Sequence, residues 1–239
     1  MTRKKDHQFH FKQFSVRHDR SGMKIGTDGV LLGAWTDVSE ATRILDIGTG
    51  TGVIALMLAQ RTNTEIKIEA IEIDDNAFAD AKENFGLSPW KERLTLHHQN
   101  IHEFSTTNTF DLIVSNPPFF QNSYKPPDPK RGLARHTENL SFEGLLTSTE
   151  RLQGPSGRLS VILPNVEGLQ FIQLAEQRKF HCSRKWSFRT RQEKPIERWL
   201  LEFSRLPGPI EENEILLYES GENWSSGYKN LTREFYLKI

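Results

Sequence analysis

The octapeptide Leu45-Asp46-Ile47-Gly48-Thr49-Gly50-Thr51-Gly52 restricts the possible folds more than any other stretch of the chain. A strand-like run enters it at residue 43, and the apolar Val53-Ile54-Ala55-Leu56 leaves it, so the pattern predicts a strand, a glycine-rich turn and a helix. The glycines remove side chains that would keep a ligand off the backbone, and the following helix start presents free amides with a partial positive charge. The same alternation then continues. Strands are expected at 43–47, 66–73, 93–98, 110–115 and 158–163, and helices at 53–61, 76–85 (closed by Gly86), 142–152 and 167–179. That order means a parallel sheet with helices on both faces. Two extended stretches, 181–188 and 196–203, flank the polar turn 190–195 and read as a terminal hairpin that inserts an antiparallel strand. The expected fold is therefore α/β and Rossmann-like, with a mostly parallel seven-stranded sheet.

Asp46 separates this turn from a dinucleotide pocket. A carboxylate there would repel a pyrophosphate, and the closing G-x-x-G of the dinucleotide signature is absent. It suits a ligand that carries a cationic amine beside its own carboxylate, as does the methionine end of S-adenosylmethionine. Glu72 closes the second strand where ribose hydroxyls would lie. Asn100, after the third strand, can hydrogen-bond an adenine, with Ile73 and Ile101 as apolar faces on either side.

The fourth strand runs directly into Asn116-Pro117-Pro118-Phe119. A strand ending in such a turn places its groups at the carboxyl edge of the sheet, where open α/β folds bind ligands. The two prolines fix the carbonyl directions. The Asn116 side-chain oxygen and the Pro117 carbonyl can accept the two hydrogens of a planar amine, and Phe119 offers a flat face for an unstacked base, worth about 1 to 3 kcal/mol.

Composition limits the remaining choices. With 239 residues, 36% of them hydrophobic, the chain can bury a substantial core, and its formal net charge of zero excludes a uniformly basic nucleic-acid binder. The single cysteine, Cys182, excludes an internal disulfide and a multi-cysteine metal site, and reads as a core residue of a protein in a reducing compartment. The basic start has no apolar segment after it, and the longest apolar run, 53–59, is too short to span a bilayer. A cytoplasmic monomer without metal is expected.

Residues 2–24 read as a solvated tail or an RNA-contacting arm. The segment 23–29 follows as a turn whose Lys24, Gly26 and Thr27 are candidates for cofactor contact, or as a plain helix entry capped by Thr27 or Asp28. Between 178 and 198 eight Lys and Arg residues stand against Glu193 and Glu197, with Phe180, Trp186 and Phe188 interleaved. That pattern suits an RNA surface, or strands with aromatic rings in the core and charges in solvent. Lys125, Lys130, Arg131, Arg135 and His136 follow Phe119 in a loop placed to cover a substrate.

Taken together, Asp46 to Gly52, Glu72 and Asn116 to Phe119 resemble the class I S-adenosylmethionine-dependent methyltransferases. Phe11-Lys12-Gln13-Phe14, the segment 23–35 and the terminal Leu231-Thr232-Arg233-Glu234-Phe235-Tyr236-Leu237 extend the likeness to the bacterial tRNA1(Val) adenine-37 N6-methyltransferases. The resemblance implies transfer of a methyl group to an adenine N6 beside the anticodon of a valine tRNA. It implies one methyltransferase domain, with a cofactor-covering arm at 1–36, a core at 37–206 and an extension at 207–239. Other amines fit the same turn. A glutamine amide in a protein such as a release factor is one, disfavoured by the lack of a separate N-terminal helical domain, and guanine N2 in ribosomal RNA is another. A non-catalytic RNA-binding module is the alternative from a different class.

Overall fold

The computed structural model describes residues 8–21, 25–118 and 140–238. Its main sheet has eight strands, numbered here in chain order and arranged as β10-β8-β9-β7-β6-β3-β4-β5. Five consecutive strands ending at the β5 edge are parallel neighbours: β7 (Gln153–Pro164), β6 (Phe110–Ser115), β3 (Arg43–Ile47), β4 (Lys67–Glu72) and β5 (Leu94–His98). β9 (Arg198–Ser204) pairs antiparallel with both β7 and β8 (His181–Arg189), so it is the one reversed strand of the sheet. The strand count exceeds the expected seven because β10 (Glu211–Leu216) adds in parallel to β8.

Side-chain alternation along the strands divides the core into two halves. Ile44, Ile68, Leu112, Val114 and Ile162 belong to one apolar cluster, together with helices α1 (Thr27–Trp35) and α2 (Val53–Arg61). Leu45, Ile47, Ile71, Ile113 and Leu159 belong to the other, with α4 (Phe142–Leu152) and α5 (Asn165–Gln177). Strands buried on both faces are what a parallel sheet requires, and their near-continuous apolar runs follow from it. Cys182 is a buried core residue whose thiol is pushed up to about 12 by desolvation. Among the described residues no helix is long and apolar enough to cross a membrane.

Residues 8–17 do not form a solvated tail. They make a hairpin, β1 (Gln8–His10) and β2 (Ser15–Arg17), whose Phe11, Phe14 and Val16 are buried. Phe11 also bridges to Tyr236 beyond the last helix, α6 (Ser226–Thr232), so the two ends of the described chain close on a shared aromatic cluster with Phe9 and Phe14. A two-stranded ribbon, β11 (Tyr218–Ser220) with β12 (Asn223–Trp224), connects β10 to α6.

Helix α3 (Asp75–Leu87) runs through Gly86, which does not end it. Asp74 caps its start with hydrogen bonds from the Asn76 and Ala77 amides, and Ser88 is its C-cap. Its Phe85 packs onto the glycine turn, where a Cβ on Gly52 would lie 2.5 Å from the ring. Gly52 also has φ +83°, which a side chain disfavours. Gly52→Ala should therefore destabilise the fold by about 2 kcal/mol or more. A shift of the urea denaturation midpoint reads this out, and an unchanged midpoint would contradict the packing.

Candidate active site

The glycine turn is held in shape by the end of the neighbouring strand. The Gly48 and Thr49 amides both donate to the Ile71 carbonyl, at 2.9 and 3.0 Å. One residue further along β4, the Glu72 carboxylate accepts from the Gly50 amide at 2.8 Å and from the Ile73 and Asp74 amides at 2.8 and 2.9 Å. The acid expected to bind ribose thus also fixes the turn that would cradle the rest of the ligand. Oε1 takes the Ile73 and Asp74 amides and Oε2 only that of Gly50, so Oε2 retains lone-pair capacity.

Asp46 lies at the end of β3, fully buried. Its Oδ2 accepts from the Thr49 hydroxyl at 2.6 Å, whereas its Oδ1 is buried with no hydrogen-bond partner. Desolvation pushes its pKa up to about 7, opposed by the Thr49 hydroxyl and by the Ala55 amide, which faces the carboxylate without closing a hydrogen bond, and reinforced by the charge of Glu72. A buried acceptor without a donor is costly, and a cationic ligand group would relieve both the orphaned oxygen and the desolvated charge. Asn116 presents a second such atom. It follows β6, which pairs with β3 through Asp46 with Val114 and Ile47 with Ser115, and the Ser115 hydroxyl donates to the Ile47 carbonyl at 2.8 Å. Its Oδ1 is likewise buried and unpartnered. Pro117 is buried beside it and Pro118 is partly exposed. Two orphaned acceptors therefore stand at the carboxyl ends of adjacent strands, which lie about 5 Å apart.

A cleft alongside is lined by Gly48, Glu72, Ile73, Asn100 and Ile101. Ile73 is 44% exposed, an apolar face turned outward at the mouth of this cleft, while Ile101 is buried. The Asn100 Oδ1 accepts from the His102 amide at 3.0 Å, so the group left to pair with an adenine is its NH2 donor. These residues fit the expected cofactor: an acceptor for a cation at Asp46, an acid for hydroxyls at Glu72, and apolar faces with a donor for a heteroaromatic ring.

Gly26 is the N-cap of α1, so neither Thr27 nor Asp28 caps it. Asp28 instead receives the Arg198 guanidinium at 2.8 Å. A Cβ on Gly29 would lie 3.2 Å from Val53, and one on Gly33 2.8 Å from Met57, so α1 and α2 run side by side with their starts together. That brings Gly26 and the exposed Thr27 to the same edge as the glycine turn. Lys24 and Phe119 lie outside the described residues, as do Lys125, Lys130, Arg131, Arg135 and His136.

The structure decides between the alternatives left open for the two basic segments. In the arm, Arg17 and Arg20 pair with Glu83 on α3 at 2.9 and 3.1 Å, so these cations dock the arm rather than await RNA. Between 178 and 198, Arg178 pairs with Glu150, Arg184 with Glu202 and Glu211, Lys185 with Glu212, and Arg189 with Glu214. Three of the eight cations, Arg184, Lys185 and Arg189, are thus met by carboxylates of the acidic strand β10. Phe180 and Phe188 are core residues, and Arg184 lies over the Trp35 and Trp186 rings.

Two positioning side chains had no assigned role in the sequence reading. Thr49 holds Asp46, a spacing of three residues that was legible in principle. Asn84 on α3 donates to the Thr51 carbonyl of the glycine turn and exchanges hydrogen bonds with the Arg17 backbone, contacts that no local pattern announces.

The description of the Methyltransferase small domain matches residues 21–147. A tRNA1(Val) (adenine(37)-N6)-methyltransferase from Tolumonas auensis is 44% identical over 98% of this chain and 98% of its own length. Relatives of the same description from Bacteroides fragilis and Trichodesmium erythraeum are 44% and 43% identical over 97% of this chain and 98% of theirs. The chain belongs to the tRNA1(Val) (adenine(37)-N6)-methyltransferase family. In fold, this family member is similar to a predicted O-methyltransferase from Agrobacterium tumefaciens, with a TM-score of 0.67 at 15% identity over 87% of this chain and 96% of the other. It is also similar to a glycopeptide N-methyltransferase solved with S-adenosylmethionine, with a TM-score of 0.55 at 12% identity over 76% and 99%.

Burial raises the folded-state pKa of Asp46 above its ordinary 3.8 to about 7. The contribution to stability is therefore full below about pH 4 and is lost as pH rises through about 7. Asp46→Asn should raise the melting temperature of the ligand-free protein at pH 8 and leave it nearly unchanged at pH 4. Calorimetry of S-adenosylmethionine binding should show wild-type affinity rising from pH 6 to 7.5, with a weaker and flat profile for the variant. An equally steep profile for the variant would remove Asp46 from the cation site.

Proposed function

We propose that this chain methylates the exocyclic N6 of an adenine in tRNA, at position 37 of valine tRNA, with S-adenosylmethionine as donor. The buried, unpartnered Asn116 Oδ1 at the head of the Asn-Pro-Pro turn carries the chemical part of the reading. Near-full-length identity of 42–44% to relatives described by that activity supports the substrate.

S-adenosylmethionine supplies an electrophilic methyl group on a sulfonium when bound. Asp46 would accept from its amine, the glycine turn would take its carboxylate, Glu72 would meet the ribose hydroxyls, and Ile73, Ile101 and Asn100 would hold the adenine ring. Gly26 and Thr27 would contact the methionine end, the role the sequence also offers for Lys24. Residues 37–206 then carry the chemistry, with 1–36 closing the cofactor side and 207–239 bracing the outer sheet.

An adenine N6 is a poor nucleophile because its lone pair is delocalised into the ring. Asn116 Oδ1 and the Pro117 carbonyl accept its two hydrogens and favour a more tetrahedral nitrogen, an interaction that strengthens as charge develops. Pro118 keeps the carbonyl from turning away, and the next residue in the chain, Phe119, is the expected stacking partner of the extruded base. Asn116 need not be a base, because the nitrogen becomes strongly acidic once methylated. The enzyme acts as a cytoplasmic monomer on this reading.

Asn116→Ala should bind S-adenosylmethionine as the wild type does while kcat falls by about a hundredfold or more. Labelled donor offered with tRNA, ribosomal RNA and release factors should mark only the tRNA. Label in a release factor or in ribosomal RNA would replace the substrate, and unchanged turnover in the variant would remove Asn116 from its role.

A further inference from the structure

The cations of the basic segment divide into those paired within the fold, by β10, α4 and α1, and those that are not. Arg178, Arg184, Lys185, Arg189 and Arg198 each have a carboxylate partner. Lys179, Arg191 and Lys194 have none among the described residues. Lys179 precedes the amino end of β8, whereas Arg191 and Lys194 lie in the turn between β8 and β9 at its carboxyl end. Because β8 runs parallel to β6 and β3, its carboxyl end opens onto the same edge of the sheet as Asn116 and Asp46. The turn is held rigidly for an exposed segment. Glu197 accepts from the Thr190 amide and hydroxyl at 3.1 and 2.8 Å, Arg189 donates to the Gln192 and Lys194 carbonyls, and the Arg191 guanidinium lies 5.0 Å from the centre of the Tyr218 ring. Tyr218 is itself fixed by its amide donating to the Thr190 carbonyl at 3.0 Å.

Between this turn and Asn116 stands the start of α5. Trp199, at the beginning of β9, donates to the Asn165 side chain at 2.8 Å and fills the space beside Gly168. On the outer face, Val166 and Leu169 are 61% and 45% exposed. At a spacing of three residues they form one apolar ridge. Counting strands at about 4.8 Å each, the turn lies roughly 10 to 15 Å from Asn116 along the edge. That is a reach of a few nucleotides at about 3.4 Å per phosphate along a strand.

We propose that the β8–β9 turn and the exposed ridge of α5 form the surface that carries the anticodon arm of the RNA beyond the target base, with Arg191 and Lys194 on phosphates and Val166 and Leu169 against bases or ribose. The proposal rests on tRNA being the substrate. Position favours RNA for this surface, since two cations without carboxylate partners adjoin the site that takes the base, and of the two carboxylates in the turn Glu197 is turned onto Thr190. Glu193, between them in the turn, works against the contact and gives the surface a direction that can be tested both ways.

The test is steady-state methylation of a valine tRNA transcript at saturating S-adenosylmethionine and several salt concentrations. Arg191→Glu/Lys194→Glu should raise KM for tRNA at least tenfold and reduce the dependence of log kcat/KM on log salt by about 1 to 2. It should leave the affinity for S-adenosylmethionine and the melting temperature unchanged. Glu193→Lys should lower KM. Val166→Ser/Leu169→Ser should raise KM without changing the salt slope. Lys67→Glu/Lys91→Glu makes the same change in charge at the opposite edge of the sheet and should behave as wild type. An unchanged KM and salt slope in the turn variant overturns the surface, as does an equal loss in the opposite-edge control. A wild type that leaves valine tRNA unmethylated overturns the substrate reading, and this surface with it.

Discussion

The carboxylate of Glu72 is the constraint on which the site depends. By accepting from Gly50 as well as from Ile73 and Asp74, it locks the glycine turn of one strand to the end of the next. Positive φ angles at Gly48, Gly50 and Gly52 give the turn its path, and the Ile71 carbonyl takes two further amides. Without that cross-brace the turn would be a flexible connection. With it, the start of α2, the Asp46 carboxylate and the cleft beside Ile73 are fixed relative to one another before any ligand arrives, which lowers the ordering cost of binding.

Of the six buried side-chain oxygen atoms without partners among the described residues, two, Asp46 Oδ1 and Asn116 Oδ1, stand together at the carboxyl edge of the sheet. Most buried polar groups in folded proteins are hydrogen-bonded, so Asp46 Oδ1 and Asn116 Oδ1 are exceptions that need a reason. Their position at the carboxyl ends of β3 and β6 supplies one: each is an acceptor waiting for an N–H, one from a charged amine and one from a planar amine. Asp80 on α3 has a similarly unpartnered oxygen, but its other oxygen receives the Arg20 and Ser21 amides and the Arg20 guanidinium lies 3.8 Å away. That carboxylate serves the docking of the arm.

The central architecture was legible because it is local. Strand–turn–helix periodicity around residues 43–61 and the runs at 66–73 and 110–115 need no distant partner to be recognised, and the structure keeps each of them. Distant partners decided what was not legible. Glu211-Glu212-Asn213-Glu214 has poor strand propensity and becomes β10 because its register sets Glu211 beside Arg184 and Glu212 beside Lys185. The same pairing misleads a reading of residues 178–198 alone, since the neutralising carboxylates lie some way along the chain. The arm looked like a tail because Phe11, Phe14 and Val16 find their apolar partners in Trp90 and Tyr236. At the site, Asp46, Glu72 and Asn116 could be picked out by residue type and position. That two of them keep an oxygen unpartnered could be learned only from the folded chain.

The measurement that tests this account most directly is mass spectrometry of valine tRNA after incubation with the protein and S-adenosylmethionine, first as intact nuclease fragments and then as nucleosides. The account predicts one added methyl in the fragment that contains adenine 37, released as N6-methyladenosine. A methyl on another base or another atom, or an unmodified anticodon loop, would contradict it.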